Sequence, residues 1–208
     1  MGYFPFFVDI TGIKGLIVGG GTIALRKAEK LLPFGPDLTV TAPEIVPELA
    51  ALPGVTLQRR PFEPALLEGA CFVIAATDDR RVNREISLLC RARNIPVNAV
   101  DDKDACTFLF PALVKQGNLC VGITTGGSSP AAAAWLREQI ERAVPSNMEE
   151  ILDHMQRIRL IVQETLPEQE RQRAAALSRV FAACIHAGRP LERAEFQALL
   201  GEKEEKHE

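Results

Sequence analysis

Three consecutive glycines, Gly19-Gly20-Gly21, stand between the apolar run Leu16-Ile17-Val18 and a segment of helical periodicity that starts at Thr22. Few features restrict a fold as tightly. A buried strand that turns through glycine straight into a helix belongs to a βαβ unit, and such a turn seats a pyrophosphate. Gly19, Gly21 and Ala24 fit the pattern G-x-G-x-x-G/A. The first glycine permits the tight turn, and the second lets the backbone approach the phosphates. The small third residue lets helix and strand pack closely. The helix N-terminus then offers unbonded N–H groups and a partial positive charge to an anion. The alternative is a glycine-rich turn that holds no ligand.

The pattern around this turn repeats its logic. Apolar runs at 16–18, 38–41, 55–58, 72–75, 97–100 and 108–110 are rich in Val, Ile, Leu and Phe without strict alternation. That is the signature of strands buried on both faces. Helical patterns lie between them. The first, 23–34, stops at Gly35-Pro36, and the second, 82–93, follows the polar cluster Thr77-Asp78-Asp79. The alternation predicts an α/β fold with a doubly wound, Rossmann-like parallel sheet. After Pro111 the character changes. A strand is predicted over 119–125, ending in Gly126-Gly127-Ser128-Ser129-Pro130, and a helix over 131–143. Pro145-Ser146-Asn147 reads as a linker and cap. Beyond it, Ile151, Leu152, Met155, Ile158 and Val162 share one helical face, and Leu177, Phe181, Cys184 and Ile185 share another. A short helix over 191–200 follows, and the tail 202–208 is expected to fray. The predicted organisation is a nucleotide-binding domain over 1–112, a connecting segment over 113–145 and a small helical C-terminal domain over 146–208.

A dinucleotide fold usually carries Asp or Glu at the end of its second strand, where it grips the ribose hydroxyls. Here that strand ends Thr39-Val40-Thr41-Ala42-Pro43, and the nearest acid, Glu44, comes some residues late. The ribose is expected to be held by hydroxyl and backbone groups over 41–44. No Arg or Lys stands at this strand end to receive a 2′-phosphate, which favours NAD over NADP.

Ligands of doubly wound sheets lie beyond the carboxyl ends of the strands. Two further strand ends carry acids: Thr77, Asp78 and Asp79 after 72–76, and Asp101 and Asp102 after 97–100. Both are expected to open onto the cleft that holds the glycine turn. Carboxylates there can take a proton, orient a substrate or hold a metal ion; alternatively Asp78 caps a helix and Asp102 faces solvent. The histidines, His154, His186 and His207, all lie in the C-terminal helical region, so a carboxylate is the expected proton carrier at the cleft. His154 and His186 read as ordinary helix residues.

Charge and composition narrow the function further. A net charge of −3 lacks the basic excess of a nucleic-acid footprint. No run approaches the roughly 18 apolar residues that a membrane helix needs. The segment 1–9 has no basic residue ahead of its apolar stretch, against a secretory signal. Five cysteines, widely spaced and odd in number, argue against a disulfide framework or a zinc site and for a reducing, cytoplasmic compartment.

Several motifs in order now carry a resemblance. They are Phe6-Phe7-Val8-Asp9, the glycine turn over 15–21, Arg26-Lys27-Ala28, Ala75-Ala76-Thr77-Asp78-Asp79 with Val82-Asn83, Val97-Asn98-Ala99-Val100-Asp101-Asp102, the run 108–111, and Ile123-Thr124-Thr125 leading into Gly126-Gly127-Ser128-Ser129-Pro130. Over residues 3–145 this series resembles the precorrin-2 dehydrogenase / sirohydrochlorin ferrochelatase family, the N-terminal half of bacterial sirohaem synthases. The resemblance implies an NAD-binding domain, a central segment that builds a homodimer and a helical C-terminal domain. It implies oxidation of the tetrapyrrole precorrin-2 to sirohydrochlorin with NAD⁺, and in many members insertion of Fe²⁺, with Co²⁺ as another candidate metal substrate. The family's catalytic aspartate falls on Asp101. Its nucleotide contacts fall on Thr22 and Ile23 and on Pro43 and Glu44, so the missing acid is tolerated in the family. A serine phosphorylated in some relatives falls on Thr125, a departure that puts this regulation in question.

Asp101 is therefore the candidate proton carrier, and Gly19, Gly21, Thr22, Ile23, Ala24, Pro43, Glu44, Thr77 and Asp78 are the candidate cofactor residues. No resident metal site is expected. A substrate with eight carboxylates asks for basic groups at its entrance, for which Arg26, Lys27, Arg80, Arg81, Lys103 and Lys115 are candidates. The competing reading is a non-catalytic NAD-binding regulatory module. Such modules typically keep the acid at the second strand end and have no use for the cluster over 98–102.

Overall fold

A computed structural model describes residues 3–166 and 169–201. The chain divides into two compact units, Met1–Phe110 and Pro111–Glu208. The expected fraying tail, with His207, lies outside the described residues, as do Met1 and Gly2.

In the first unit, β1 (Lys14–Val18), β2 (Asp37–Thr41), β3 (Val55–Gln58), β4 (Phe72–Ala75) and β5 (Val97–Ala99) form one parallel sheet in the order β3-β2-β1-β4-β5. Helix α1 (Thr22–Leu31) follows β1, the short α2 (Pro47–Ala50) follows β2, and α3 (Arg80–Ala92) follows β4. The strand order reverses between β1 and β4, where a doubly wound sheet opens its crevice. Both faces of the central strands β1 and β4 are covered, which is why these two read as unbroken apolar runs. On one face Ile17, Val40 and Ile74 pack with Ala24 and Ala28 of α1. On the other, Leu16, Val18, Val73 and Ala75 pack with Ile86 and Cys90 of α3. Ala24 and Ala28 have no exposed surface, so α1 sits directly on the sheet.

The predicted strand over 108–110 is not a strand. The segment lies beside β5, but side chains take the place of a ladder. The N–H of Val97 donates to Thr107 Oγ1 (2.8 Å), and its carbonyl accepts from Thr107 N (2.8 Å). At Ala99 the Cys106 sulfur both accepts from the N–H and donates to the carbonyl, each at 3.2 Å. The backbone groups that a sixth strand would use are already bonded.

The second unit opens with a hairpin of β6 (Ala112–Gln116) and β7 (Leu119–Ile123), antiparallel and in register Val114 to Val121. The apolar pattern predicts only the second of these strands. Helix α4 (Pro130–Ala143) starts at Ser129, whose hydroxyl accepts from Ala132 N (3.1 Å). Helices α5 (Met148–Thr165), α6 (Glu170–Ala187) and α7 (Arg193–Gly201) complete the chain. Their shared core contains Ile151, Ile158, Val162, Ala176, Val180, Cys184, Leu191 and Phe196. The expected face of α6 is rotated. Phe181 and Ile185 are each 38% exposed, while the smaller Ala176, Val180 and Cys184, spaced four apart, meet α5. Asn147 precedes α5 without capping it and instead donates from Nδ2 to Gly188 O (2.6 Å). Among the described residues no helix is long and apolar enough to cross a membrane.

Candidate functional site

The glycine turn is shaped by what lies opposite it. Gly19 has φ +125°, and a Cβ there would stand 2.2 Å from the Ala76 carbonyl oxygen. Gly20, the middle residue that the motif leaves unspecified, is as constrained: a Cβ would stand 2.0 Å from the Glu44 carbonyl oxygen. Its own carbonyl accepts from Val46 N (2.9 Å), pinning the loop after β2 to the turn. Gly21 differs. It has extended backbone, a Cβ there would meet no atom within 4 Å, and no side chain caps α1 behind it. The first N–H groups of α1 therefore open onto free space, and the partial positive charge of this helix end suits an anion.

That space is a cleft of about 810 Å³ at the carboxyl ends of β1, β2 and β4. Gly19, Gly21, Thr22, Ile23, Pro43, Glu44, Thr77 and Asp78 all lie on its wall. Ala24 does not; it is the buried spacer beneath the turn. Pro61 and Phe62, which follow β3, also line the cleft and were not foreseen, because nothing local in the sequence says that the end of β3 reaches the end of β2. All four residues over 41–44, expected near the ribose, border the cleft, but the Thr41 hydroxyl is already engaged. Thr41 is fully buried, and its hydroxyl donates to Arg60 O (3.0 Å), a bond that holds β2 to the segment after β3.

At the end of β4 the organiser is Asn83, a buried residue of α3. Its Oδ1 accepts from Thr77 N (3.1 Å) and Thr77 Oγ1 (2.7 Å), and its Nδ2 donates to Thr77 O (3.0 Å). This fixes the turn that carries Asp78 on the cleft wall. The helix cap is Asp79 rather than Asp78: its carboxylate accepts from Arg81 N (2.8 Å) and pairs with the Arg81 guanidinium. Bonds from the Arg81 side chain and backbone hold the Asp79 carboxyl below the usual range.

The acids after β5 are not on this cleft wall, contrary to expectation, since β5 lies one strand beyond the switch point and its following turn folds back. Asp102 does not face solvent. It pairs with Arg84 (2.5 Å) and accepts from Ala105 N (3.3 Å), capping a short 3₁₀ turn, Lys103–Ala105. The Arg84 hydrogen bond, foremost, keeps its carboxyl low. Asp101 is exposed and has φ +57°, a left-handed conformation that a non-glycine residue adopts at some cost.

Beside this turn lies a second polar cluster. Lys27 of α1 places Nζ 3.7 Å from the Phe110 ring centroid and 3.4 Å from Asn98 Oδ1. Asn98 is buried and donates from Nδ2 to Phe108 O (3.1 Å) and Cys106 Sγ (3.4 Å). Burial, and secondarily the neighbouring Lys30, push the Lys27 ammonium down to about 8, while Cys106 and Asp101 oppose the shift. The other basic candidates differ. Arg26 and Arg80 are exposed, and Arg81 serves Asp79. Lys103 lies 5.8 Å over the Tyr3 ring, and Lys115 donates to Gly117 O. Thr125 donates its hydroxyl to Ser129 O (3.0 Å) and accepts from Ser129 N (3.1 Å), stabilising the loop before α4. His154 is half-buried on α5, which lowers its pKa, and His186 is exposed on α6. No group of three or more His, Cys, Asp and Glu suited to a metal ion occurs among the described residues.

Residues 6–112 match the family model described as putative NAD(P)-binding, and residues 116–143 match the central segment of sirohaem biosynthesis proteins. The chain is 38% identical over 210 residues to a siroheme synthase of Pseudomonas paraeruginosa, covering 98% of this chain and 44% of that protein. It is 39% identical over 176 residues to the siroheme synthase of Thioalkalivibrio sulfidiphilus, covering 83% of this chain and 36% of the relative. The chain thus spans less than half the length of these relatives. Among solved structures, SirC, a precorrin-2 dehydrogenase, superposes with a TM-score of 0.74 at 21% identity, over 95% of this chain and 97% of that one. This likeness extends the fold across both units.

Proposed function

The chain belongs to the NAD(P)-binding family whose model covers residues 6–112, with the sirohaem-biosynthesis central segment following it, and from this we propose that it oxidises precorrin-2 to sirohydrochlorin. The observation that carries the reading is the pairing, in one sheet, of a pyrophosphate cradle at the end of β1 with a polar cluster at the end of β5. A module that only sensed the nucleotide would have no use for that second cluster.

The reaction balances as precorrin-2 plus NAD⁺ giving sirohydrochlorin, NADH and a proton. The nicotinamide, when bound, supplies the hydride acceptor. The chain's own residues do the rest. The α1 N-terminus and Gly21 hold the pyrophosphate, Thr22 and Ile23 flank it, and Pro43 and Glu44 border the adenosine end. Asn83 fixes the turn that presents Thr77 and Asp78. Asp101 accepts the proton that leaves the macrocycle, from an exposed position that a large planar substrate can reach. No basic residue directly follows β2 in the chain, and Arg60, brought beside its end, has its guanidinium on Gln58 and Glu63, which favours NAD over NADP.

The same carboxylate would take pyrrole protons if Fe²⁺ or Co²⁺, as substrate, is inserted into sirohydrochlorin. Residues 113–145 are assigned to homodimerisation, 146–208 to a helical domain, and the cytoplasm is the compartment that free cysteines suit. Mixing the protein with precorrin-2 and NAD⁺ tests the reading: NADH should appear at 340 nm together with the visible spectrum of sirohydrochlorin. Binding of NAD⁺ without turnover would instead establish the regulatory module. Adding Fe²⁺ or Co²⁺ to sirohydrochlorin without NAD⁺ decides the chelatase step, and equilibrium sedimentation decides the dimer.

A further inference from the structure

Lys27 is an unusual lysine. It is half-buried, its ammonium is covered by the Phe110 ring, and its hydrogen bond goes to a neutral amide, Asn98 Oδ1. Among the described residues it forms no ion pair. Sequestering an ammonium with no carboxylate in contact works against stability. A methionine would cover Phe110 without that penalty. Something other than packing therefore accounts for a positive charge here.

Four ionisable or polar groups face it. Lys30 repels it from the same helix, while Asp101 attracts it from the segment after β5, where Cys106 would add attraction only as a thiolate. Asn98 binds it and also ties down Phe108, so the amide connects the lysine to the backbone on both sides of the Asp101 turn. The nucleotide cleft does not include Lys27. Covered by a ring, it is also poorly placed to clasp a substrate carboxylate in solvent.

We propose that Lys27 is a positioning residue of the dehydrogenation: its ammonium anchors Asn98 and, through Asn98, the turn that places Asp101 to take the substrate proton. The proposal rests on the role given to Asp101 above. It makes the cluster a titrating unit, because this ammonium, held at about 8, loses its proton on the alkaline side of neutrality. α1 carries both functions. Thr22 stands at the cofactor cradle, and Lys27 lies five residues on, about 7.5 Å along the helix axis at 1.5 Å per residue.

The test uses the full chain with Lys27→Met and Lys27→Arg. Wild-type kcat for precorrin-2 oxidation should fall above a midpoint of about 8. Lys27→Arg, always charged, should abolish that alkaline limb and keep activity at pH 7. Lys27→Met should lower kcat at least about tenfold at pH 7 while KM and NADH affinity stay near wild type. An unchanged alkaline limb in both variants overturns the proposal, as does a rise in KM at constant kcat, which would mark a substrate clamp. A second readout needs no turnover. The Lys27 ε-carbon, followed by NMR, should titrate at about 8 and move to lower pH in Asp101→Asn; an unmoved midpoint refutes the coupling. A wild-type chain that makes no NADH from precorrin-2 sinks the assigned reaction, and the NMR titration then judges the Lys27–Asp101 couple alone.

Discussion

Gly20 and Gly21 are neighbours in sequence with opposite surroundings, and alanine at each should fail in opposite ways. In Gly20→Ala the new methyl meets the Glu44 carbonyl oxygen at 2.0 Å and Ile45 Cα at 2.9 Å. Both are backbone, so no side-chain rotation relieves the contact; the loop after β2 must move by roughly 1 Å. Overpacking of this kind costs about 1–3 kcal/mol. Moving the loop also strains the Val46 N to Gly20 O bond, worth about 1 kcal/mol. The sum, about 2–4 kcal/mol, corresponds to a fall in Tm of roughly 5–15 °C for a chain of this size. In Gly21→Ala the methyl meets nothing within 4 Å and φ is −88°, so the cost to the free protein stays near that of a poorer N-cap, about 1 kcal/mol or less. The same methyl fills the phosphate's place. Losing two charge-assisted N–H bonds, at about 1.5 kcal/mol each, weakens the nucleotide about a hundredfold. Thermal melts without nucleotide and NADH fluorescence titrations of both variants read the two effects separately. A Gly21→Ala protein that melts lower than Gly20→Ala, or that binds NADH normally, would refute the reasoning.

Asp101→Asn should bind NADH normally yet oxidise precorrin-2 on the order of a hundredfold more slowly, measured at 340 nm. Asn83→Leu removes all three bonds that shape the Thr77 turn and should cost roughly 2–4 kcal/mol in denaturant melts, with weakened NADH binding beside it. In the second unit, Arg189 holds the Glu195 carboxyl down at about 2, so its contribution is complete above pH 4.5 and disappears as pH falls toward 2. Arg189→Ala should flatten the acid limb of a helix-detected pH titration over that interval; an unaltered limb assigns acid sensitivity elsewhere.

The sheet was legible because its central strands β1 and β4 are buried on both faces and leave unbroken apolar runs, whereas the edge strand β3 alternates and exposes Thr56. Gly19 and Gly21 were legible for a local reason, the geometry of a strand entering a helix. Gly20 was not, because what forbids its side chain is the carbonyl of Glu44, 24 positions on, and a motif that spans a single turn cannot contain it. The same limit explains Thr41, whose hydroxyl looks available until β3 brings Arg60 beside it. Asp78 and Asp79 are interchangeable as caps on paper; the Asn83 bonds to Thr77 set the turn so that the second of them reaches Arg81 N. On α6 the heavier apolar residues suggested the core face, but the space beside α5 admits Ala176 and Val180 and leaves Phe181 outside. Lys27 was visible as one basic residue among six. Its burial depends on Phe110, which the sequence placed in a strand.

The side chains of Thr107 and Cys106 have a consequence for how the sheet meets other molecules. An open parallel sheet ends in a row of backbone donors and acceptors, and such a margin invites strands from other chains to add on. Along β5 those groups belong to Val97 and Ala99, and the Thr107 hydroxyl and backbone N–H and the Cys106 thiol have already satisfied them. The margin is thus sealed by two residues, Thr107 and Cys106, instead of by a helix or a charged strand. Thr107→Val would leave the Val97 donor exposed, and a chain that is otherwise folded would acquire an adhesive rim.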